Sequence, residues 1–322
     1  MRSFSYSAPS TLDEARSMLG ASARPFAGGT DLITLMQADL VAAQRIVAVR
    51  TLLPKGIDAQ GGSVTIGAAT TLREIERDAF LSARFTALAQ AAAVAASPQV
   101  RNMATLGGNL LQRPRCWYFR HPHVQCWLKG ADACPARDGE NRQHALFGGS
   151  PCVAVHPSDL APALLAFDAY VRVLGAQGQR TLRLDELFAL PEDGRRRETT
   201  LQDDELLLDV GMPTHPEETR SVYVKAMDRG AFAFALVGVA AVLRLSAQRE
   251  VGHARVVLSG VAPIPWRAQG AERALLGGEV SARLIDDAAD AALEGAAPLR
   301  LNAWKIPLAH ALVKRALQAL VD

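Results

Sequence analysis

The chain lacks a surplus of charge, a membrane-length apolar run, an export signal and, outside one short window, any cysteine. Its 35 Lys and Arg against 33 Asp and Glu leave a net charge of +2, so neither nucleic acid nor an anionic membrane is expected as a partner. The longest apolar stretch, residues 231–243, is thirteen residues, short of the roughly 20 that cross a bilayer, and reads as a buried strand or helix. No membrane insertion is expected. The start, Met1-Arg2-Ser3-Phe4-Ser5-Tyr6, has no charged-then-apolar pattern, so the chain is expected to carry no export signal of its own. The one tight basic run, Arg195-Arg196-Arg197, sits beside Glu192, Asp193 and Glu198 and reads as a solvated loop. No internal repeat is visible. At 49% hydrophobic and 21% charged, the chain reads as a soluble globular protein of one to three domains.

All four cysteines of the 322 residues fall in one 37-residue window: Cys116, Cys126, Cys134 and Cys152. Their neighbours, as in Arg115-Cys116-Trp117-Tyr118-Phe119-Arg120, are polar and aromatic, which predicts a loop in place of the apolar setting of a buried structural thiol. Four thiolates supply the ligand set of a 4Fe–4S cluster or of an all-cysteine zinc site. The spacing C-x9-C-x7-C-x17-C has no short knuckle, whereas structural zinc sites usually use at least one. A wide, irregular loop suits a cubane, whose corners sit apart. Disulfides lose ground because a chain of this length buries a core without staples. His121 and His123, between the first two cysteines, are expected to be loop residues or to support the ligands, not to replace one.

The remaining pattern alternates strand-like and helix-like runs. Thr11 with Glu14, and Thr71 with Glu74, have capping-box spacing at two helix starts. Strands are expected over 24–27, 45–49, 63–68, 169–174, 180–184, 206–212, 235–245 and 254–261. Helices are expected from Leu32, over 86–96 up to Ser97-Pro98, over 280–292 and 306–320, with 160–167 a helix or a short apolar bridge. The polar stretch 213–220 marks a domain boundary. These features predict an α+β protein with a larger N-terminal part, 1–216, and a smaller C-terminal part, 217–322.

Two glycine loops stand out. In Pro25-Phe26-Ala27-Gly28-Gly29-Thr30-Asp31-Leu32 a strand passes into a helix through two glycines, with Thr30 placed to cap. Glycines let peptide N–H groups approach a phosphate, and the free amides at a helix start favour negative charge. The second loop, Thr105-Leu106-Gly107-Gly108-Asn109, repeats the chemistry. Neither has the G-x-G-x-x-G spacing of a dinucleotide-binding Rossmann unit.

Taken in order, residues 25–32, 105–109 and Ser158-Asp159-Leu160 resemble the FAD-binding subunit of the molybdenum hydroxylases, the xanthine dehydrogenase and carbon monoxide dehydrogenase family. The resemblance covers essentially the whole chain and includes Tyr223-Val224-Lys225, residues 234–240 and Asn302-Ala303-Trp304-Lys305. About forty residues, roughly 112–154, separate the second loop from Ser158, more than a usual short connection. All four cysteines lie in that insertion, which resembles the branch whose flavin subunit carries an extra 4Fe–4S cluster. Aldehyde oxidoreductases of the bacterial periplasmic type and 4-hydroxybenzoyl-CoA reductase belong to that branch, and Cys116-Trp117-Tyr118-Phe119-Arg120 is more similar to the former.

The resemblance implies a vanillyl-alcohol oxidase-type fold, with two α+β subdomains clasping FAD and a C-terminal α+β domain. It implies that Phe26, Ala27, Gly28, Gly29, Thr30 and Asp31 hold the pyrophosphate, helped by Thr105, Gly108 and Asn109. Ser158 and Asp159 would hydrogen-bond the cofactor, Leu207 would lie by the flavin ring and Lys225 would contact it. Read without the resemblance, Asp159 could cap the helix from Leu160, Lys225 could be a surface strand lysine, and Leu207 is core either way. The implied function is electron transfer. Electrons would come from an aldehyde oxidised at molybdenum, on a separate molybdopterin-binding large subunit, through a 2Fe–2S small subunit to FAD here, and on to an external acceptor. The assembly would be a heterotrimer or its dimer, cytoplasmic or exported with a signal-bearing partner. The alternatives are a flavin subunit serving an aromatic acyl-CoA reductase or an N-heterocycle dehydrogenase, a stand-alone flavin enzyme, and a zinc-stapled non-redox scaffold.

Overall fold

The computed structural model describes all residues, 1–322. Three sheets organise it. A small parallel sheet runs in the order Ser5–Ser7, Arg45–Ala48, Ala23–Phe26. An antiparallel five-stranded sheet follows, ordered Ile57–Gln60, Ser63–Gly67, Leu206–Pro213, Tyr170–Gly175, Gly178–Arg183. The third, also antiparallel, is ordered Trp266–Arg267, Val251–Ser259, Val237–Leu245, Thr219–Ala226.

The apolar run from Val237 shows why this third sheet holds the molecule together. Side chains alternate across a strand, and here both faces are buried. Val237, Val239, Ala241 and Leu243 join a 26-residue core with the three C-terminal helices, Gln269–Leu275, Ala282–Ala291 and Lys305–Val321. Ala240 and Val242 face the other way, into a 36-residue core shared with the five-stranded sheet and the helices Thr86–Val94 and Leu160–Ala166. Within Lys305–Val321 the buried positions Ala309, Leu312, Val313, Ala316, Leu317 and Leu320 recur at helical spacing. Each buried Leu or Val there contributes about 1.5–3 kcal/mol, so Leu317→Asp would break the seam.

Local signals position the rest. Thr71 and Glu74 form the full capping box of Leu72–Arg77. Thr11 caps Leu12–Ser17, but Glu14 turns its carboxylate to Ser10, not back to Thr11. Ser97-Pro98 both ends one helix and starts another, because Ser97 caps Pro98–Arg101 and proline fits a first helical turn. The strand Thr219–Ala226 begins inside the stretch read as a boundary. Only Tyr223 in it is fully buried, so it carried no clear apolar alternation. The basic run is not a solvated loop: Arg196 donates to the carbonyls of Trp127 and Ala131 and lies 4.7 Å over the Trp127 ring.

Candidate functional site

The two glycine loops lie against one another. A Cβ at Gly28 would sit 2.1 Å from the carbonyl oxygen of Met103, so only glycine lets the first loop rest on the segment leading into the second. The second loop is stitched to residues 68–72 by Leu106 N–H to Thr70 O at 2.8 Å and Gly107 N–H to Ala68 O at 3.0 Å. Thr105 caps its helix by accepting from Gly108 N–H at 3.2 Å. The loops differ in what they leave free. Gly28, Gly29, Thr30 and Asp31 give their peptide N–H groups to no protein acceptor, whereas those of Gly107, Gly108 and Asn109 are all taken. A run of free amides is a concavity suited to an anion.

Thr30 does not cap the helix Leu32–Gln37. Asp31 holds the N-cap position without a side-chain cap bond. Its carboxylate instead reaches across to the cysteine-bearing insertion. It accepts from Arg113 N–H at 2.9 Å and from Arg120 at 2.8 Å, and pairs with Arg115 at 3.0 Å. Phe26 lies beneath the loop, its ring 2.6 Å from where a Gly29 side chain would begin.

Two cavities meet at Thr30, Asp31, Gly108 and Gln112. The smaller, about 270 Å³, is walled by both glycine loops and Leu207. The larger, about 730 Å³, runs past Asn109 and Asp159 to Cys116 and Trp117, under a rim that includes Phe232 and Phe234. Together they form an elongated cleft within the size range of cofactor sites.

Asp159 is the buried polar centre of the larger cavity. It does not cap the helix from Leu160, since Ser158 Oγ does so by accepting from Ala161 N–H at 2.9 Å. Ser158 also donates to Asn109 Oδ1 at 2.5 Å, tying the second loop down. Asp159 takes the Tyr223 hydroxyl at 2.7 Å and the Lys225 ammonium at 2.8 Å. Residues two apart on a strand share a face, which is how Tyr223 and Lys225 reach one carboxylate. Burial raises the Asp159 carboxyl above its usual range, with Lys225 opposing the rise. The Lys225 side chain is only 2% exposed, so it is not a surface lysine.

The insertion places all four cysteines in or against one apolar cluster with Leu35, Phe119, Trp127, Leu128 and Val153. The expected loop is there, but its polar setting fails for three of them: Cys126, Cys134 and Cys152 lie outside helix and strand yet are buried, because the surrounding aromatics fold inward. Cys116 alone is partly exposed and lines the larger cavity. Among the sulfurs, Cys152 accepts a backbone N–H, from Ala154 at 3.5 Å. Burial pushes the Cys116 thiol up to about 11, while the neighbouring Cys152 thiol holds Cys134 below its ordinary value. Cys116 Sγ lies 3.2 Å from His144 Nε2, and no three His, Cys, Asp or Glu side chains converge as a closed metal site. His121 and His123 are exposed.

Of the residues expected to bind cofactor, Ala27, Gly28, Gly29, Thr30, Asp31, Thr105, Gly108 and Leu207 line the smaller cavity, and Asn109 and Asp159 the larger. Ser158 and Lys225 stand behind Asn109 and Asp159. Sequence reasoning missed Gln112, Arg115, His144, Phe232 and Phe234. The cysteine spacing pointed to the insertion, but nothing in the sequence showed which side of it would face the cleft.

Residues 2–215 match a family described as the FAD binding domain in molybdopterin dehydrogenase, and residues 222–320 one described as the CO dehydrogenase flavoprotein C-terminal domain. The chain is similar to the aldehyde oxidoreductase FAD-binding subunit PaoB of Escherichia coli strain K12, at 35% identity covering 96% of this chain and 95% of that one. It is also similar to the carbon monoxide dehydrogenase medium chain of Hydrogenophaga pseudoflava, at 29% identity over 98% and 96% of the two chains. A solved structure of carbon monoxide dehydrogenase from that organism superimposes with a TM-score of 0.78, covering 99% of this chain and 97% of the other at 28% identity.

Proposed function

The chain belongs to the FAD-binding subunits of the molybdenum hydroxylase family, and from that premise we propose that it is the FAD- and 4Fe–4S-carrying electron-transfer subunit of an aldehyde oxidoreductase. Two partners complete the reading, a molybdopterin-binding large subunit where the aldehyde is oxidised and a 2Fe–2S small subunit, with an external acceptor at the end. The 35% identity to an aldehyde oxidoreductase subunit supports the substrate class.

The observation that carries the reading is the arrangement of the cleft: four free amides at one end and a cysteine of the four-thiol insertion at the other. The residues fit FAD. The peptide N–H groups of residues 28–31 would donate to phosphate oxygens, Leu207 and the loops close the smaller cavity, and Asp159 presents a buried acceptor in the larger one. Bound there, FAD supplies a centre that accepts electrons singly and passes on one or two. The cysteines fit a cluster in their donor chemistry: four thiols gather in or against one apolar lobe and supply the ligand set of a cubane. Cys116, Cys126, Cys134 and Cys152 would hold it.

The test is a visible spectrum of anaerobically purified protein with flavin, iron and sulfide counted. One FAD with about four iron and about four sulfide per chain supports the proposal. Flavin without iron removes the cluster and keeps the flavin subunit; zinc without flavin removes both.

A further inference from the structure

His144 sits at the junction of the cluster lobe, the larger cavity and the C-terminal domain. It is 3% exposed, and its Nε2 lies 3.2 Å from Cys116 Sγ. Its Nδ1 is buried without a partner. A ring with one proton places it where a partner exists, so Nε2–H faces the sulfur. The Trp117 ring meets His144 edge-on at 5.3 Å and Tyr118 lies at 6.2 Å, which fixes the ring plane. The main chain is held equally firmly. Its carbonyl accepts from Asn302 Nδ2 at 3.0 Å and from Lys305 Nζ at 3.0 Å. The other partners of the fully buried Lys305 ammonium are the carbonyls of Gln143 and Gly260. The tail motif Asn302-Ala303-Trp304-Lys305 thus anchors the histidine, and through it the one cysteine that opens on the cleft.

We propose that His144 is a positioning residue for the iron–sulfur centre, donating an Nε2–H hydrogen bond to the Cys116 sulfur and thereby raising the reduction potential of the cluster that the four cysteines would hold. The inference rests on the four-cysteine reading of the proposed function. A donor aimed at sulfur stabilises whichever oxidation state puts more negative charge there, which is the reduced one. Removing it makes the cluster harder to reduce and leaves the flavin where it was.

The experiment uses the intact chain carrying its cofactors, as wild type, His144→Leu and His144→Gln. Iron and sulfide are counted, and the cluster and flavin are titrated separately by electron paramagnetic resonance and visible absorbance. At an ambient potential equal to the wild-type cluster midpoint, His144→Leu should lower the reduced-to-oxidised ratio by about tenfold, the scale of one charge-assisted hydrogen bond. The flavin midpoint should stay put. His144→Gln, which keeps an N–H donor, should recover most of the ratio. An unmoved cluster midpoint in an iron-replete leucine variant overturns the inference and leaves the proposed function standing. Loss of iron from both variants makes His144 a structural residue and also overturns it. Should only the leucine variant lose iron, a wild-type midpoint in the glutamine variant supports the donor role and a lowered one overturns it. Iron-free wild type removes the cluster reading and the inference together.

Discussion

Replacing Lys225 by Met tests whether this lysine serves the cofactor directly or neutralises Asp159. The two side chains are 2% and 6% exposed and 2.8 Å apart, and the ammonium has one further acceptor, Val94 O at 3.2 Å. Removing one member of a buried pair costs about 3–5 kcal/mol, because the remaining charge stays desolvated. Asp159 keeps the Tyr223 hydroxyl in the variant but loses its counter-charge. Burial already holds its carboxyl above the ordinary 3.8, and without Lys225 it rises further. Above the unfolded value the native variant therefore retains a proton that the unfolded chain has released. Its stability falls as pH rises, so the deficit relative to wild type is largest at neutral pH and shrinks toward pH 4. Urea unfolding of flavin-free protein at several pH values measures this, and Asp159→Asn combined with Lys225→Met should recover all but about 2 kcal/mol. A deficit below about 1 kcal/mol at neutral pH, or one independent of pH, would refute the ion-pair reasoning. Intact stability with lost flavin would restore a direct role for Lys225.

The other expectations are simpler. Gly28→Ala should separate the two loops, since its Cβ meets Met103 O at 2.1 Å, and flavin should be lost with several kcal/mol of stability. Gly108→Ala meets only Thr105 Oγ1, at 3.1 Å, so it should fold, and equilibrium flavin binding then reports how closely the ligand approaches that loop. Cys134→Ser should empty the iron while leaving most flavin bound; full iron and sulfide by chemical assay would remove Cys134 from the ligand set. His156, buried so that its pKa falls from 6.5 to about 4, accepts from Ser158 N–H at 3.4 Å through Nδ1. The unfolded chain binds the extra proton first, so stability should drop by up to about 3 kcal/mol as pH falls from 6.5 to 4, and His156→Gln should flatten that part of a thermal-melt profile.

Much of the architecture was legible because it depends on local chemistry. The capping box at Thr71, the apolar runs in Leu206–Pro213 and Val237–Leu245 and the helical spacing in Lys305–Val321 each state their structure within a few residues. The glycine loops were legible as loops. Their different use of backbone amides was not, because it depends on Ala68 and Thr70, well outside the motif. The strand Thr219–Ala226 was legible only around Lys225, because the polar Thr219, Arg220 and Ser221 mask its start. Asp31 was placed at the pyrophosphate by the family resemblance, and its ties to the insertion were not foreseen. Its arginine partners lie more than eighty residues away, and no local pattern could have joined them.

The sheet buried on both faces also bears on inheritance. The sequence divides near residue 216 into a larger and a smaller part, yet Ala240, Val242 and Val257 of the smaller part belong to the core of the larger one. A gene truncated or recombined at that point would yield two fragments, each with a torn apolar wall. The seam is therefore a poor place to cut the chain, because either piece alone exposes the wall it shares with the other. Lineages are freer to diversify at exposed loops, where added length leaves the shared wall intact.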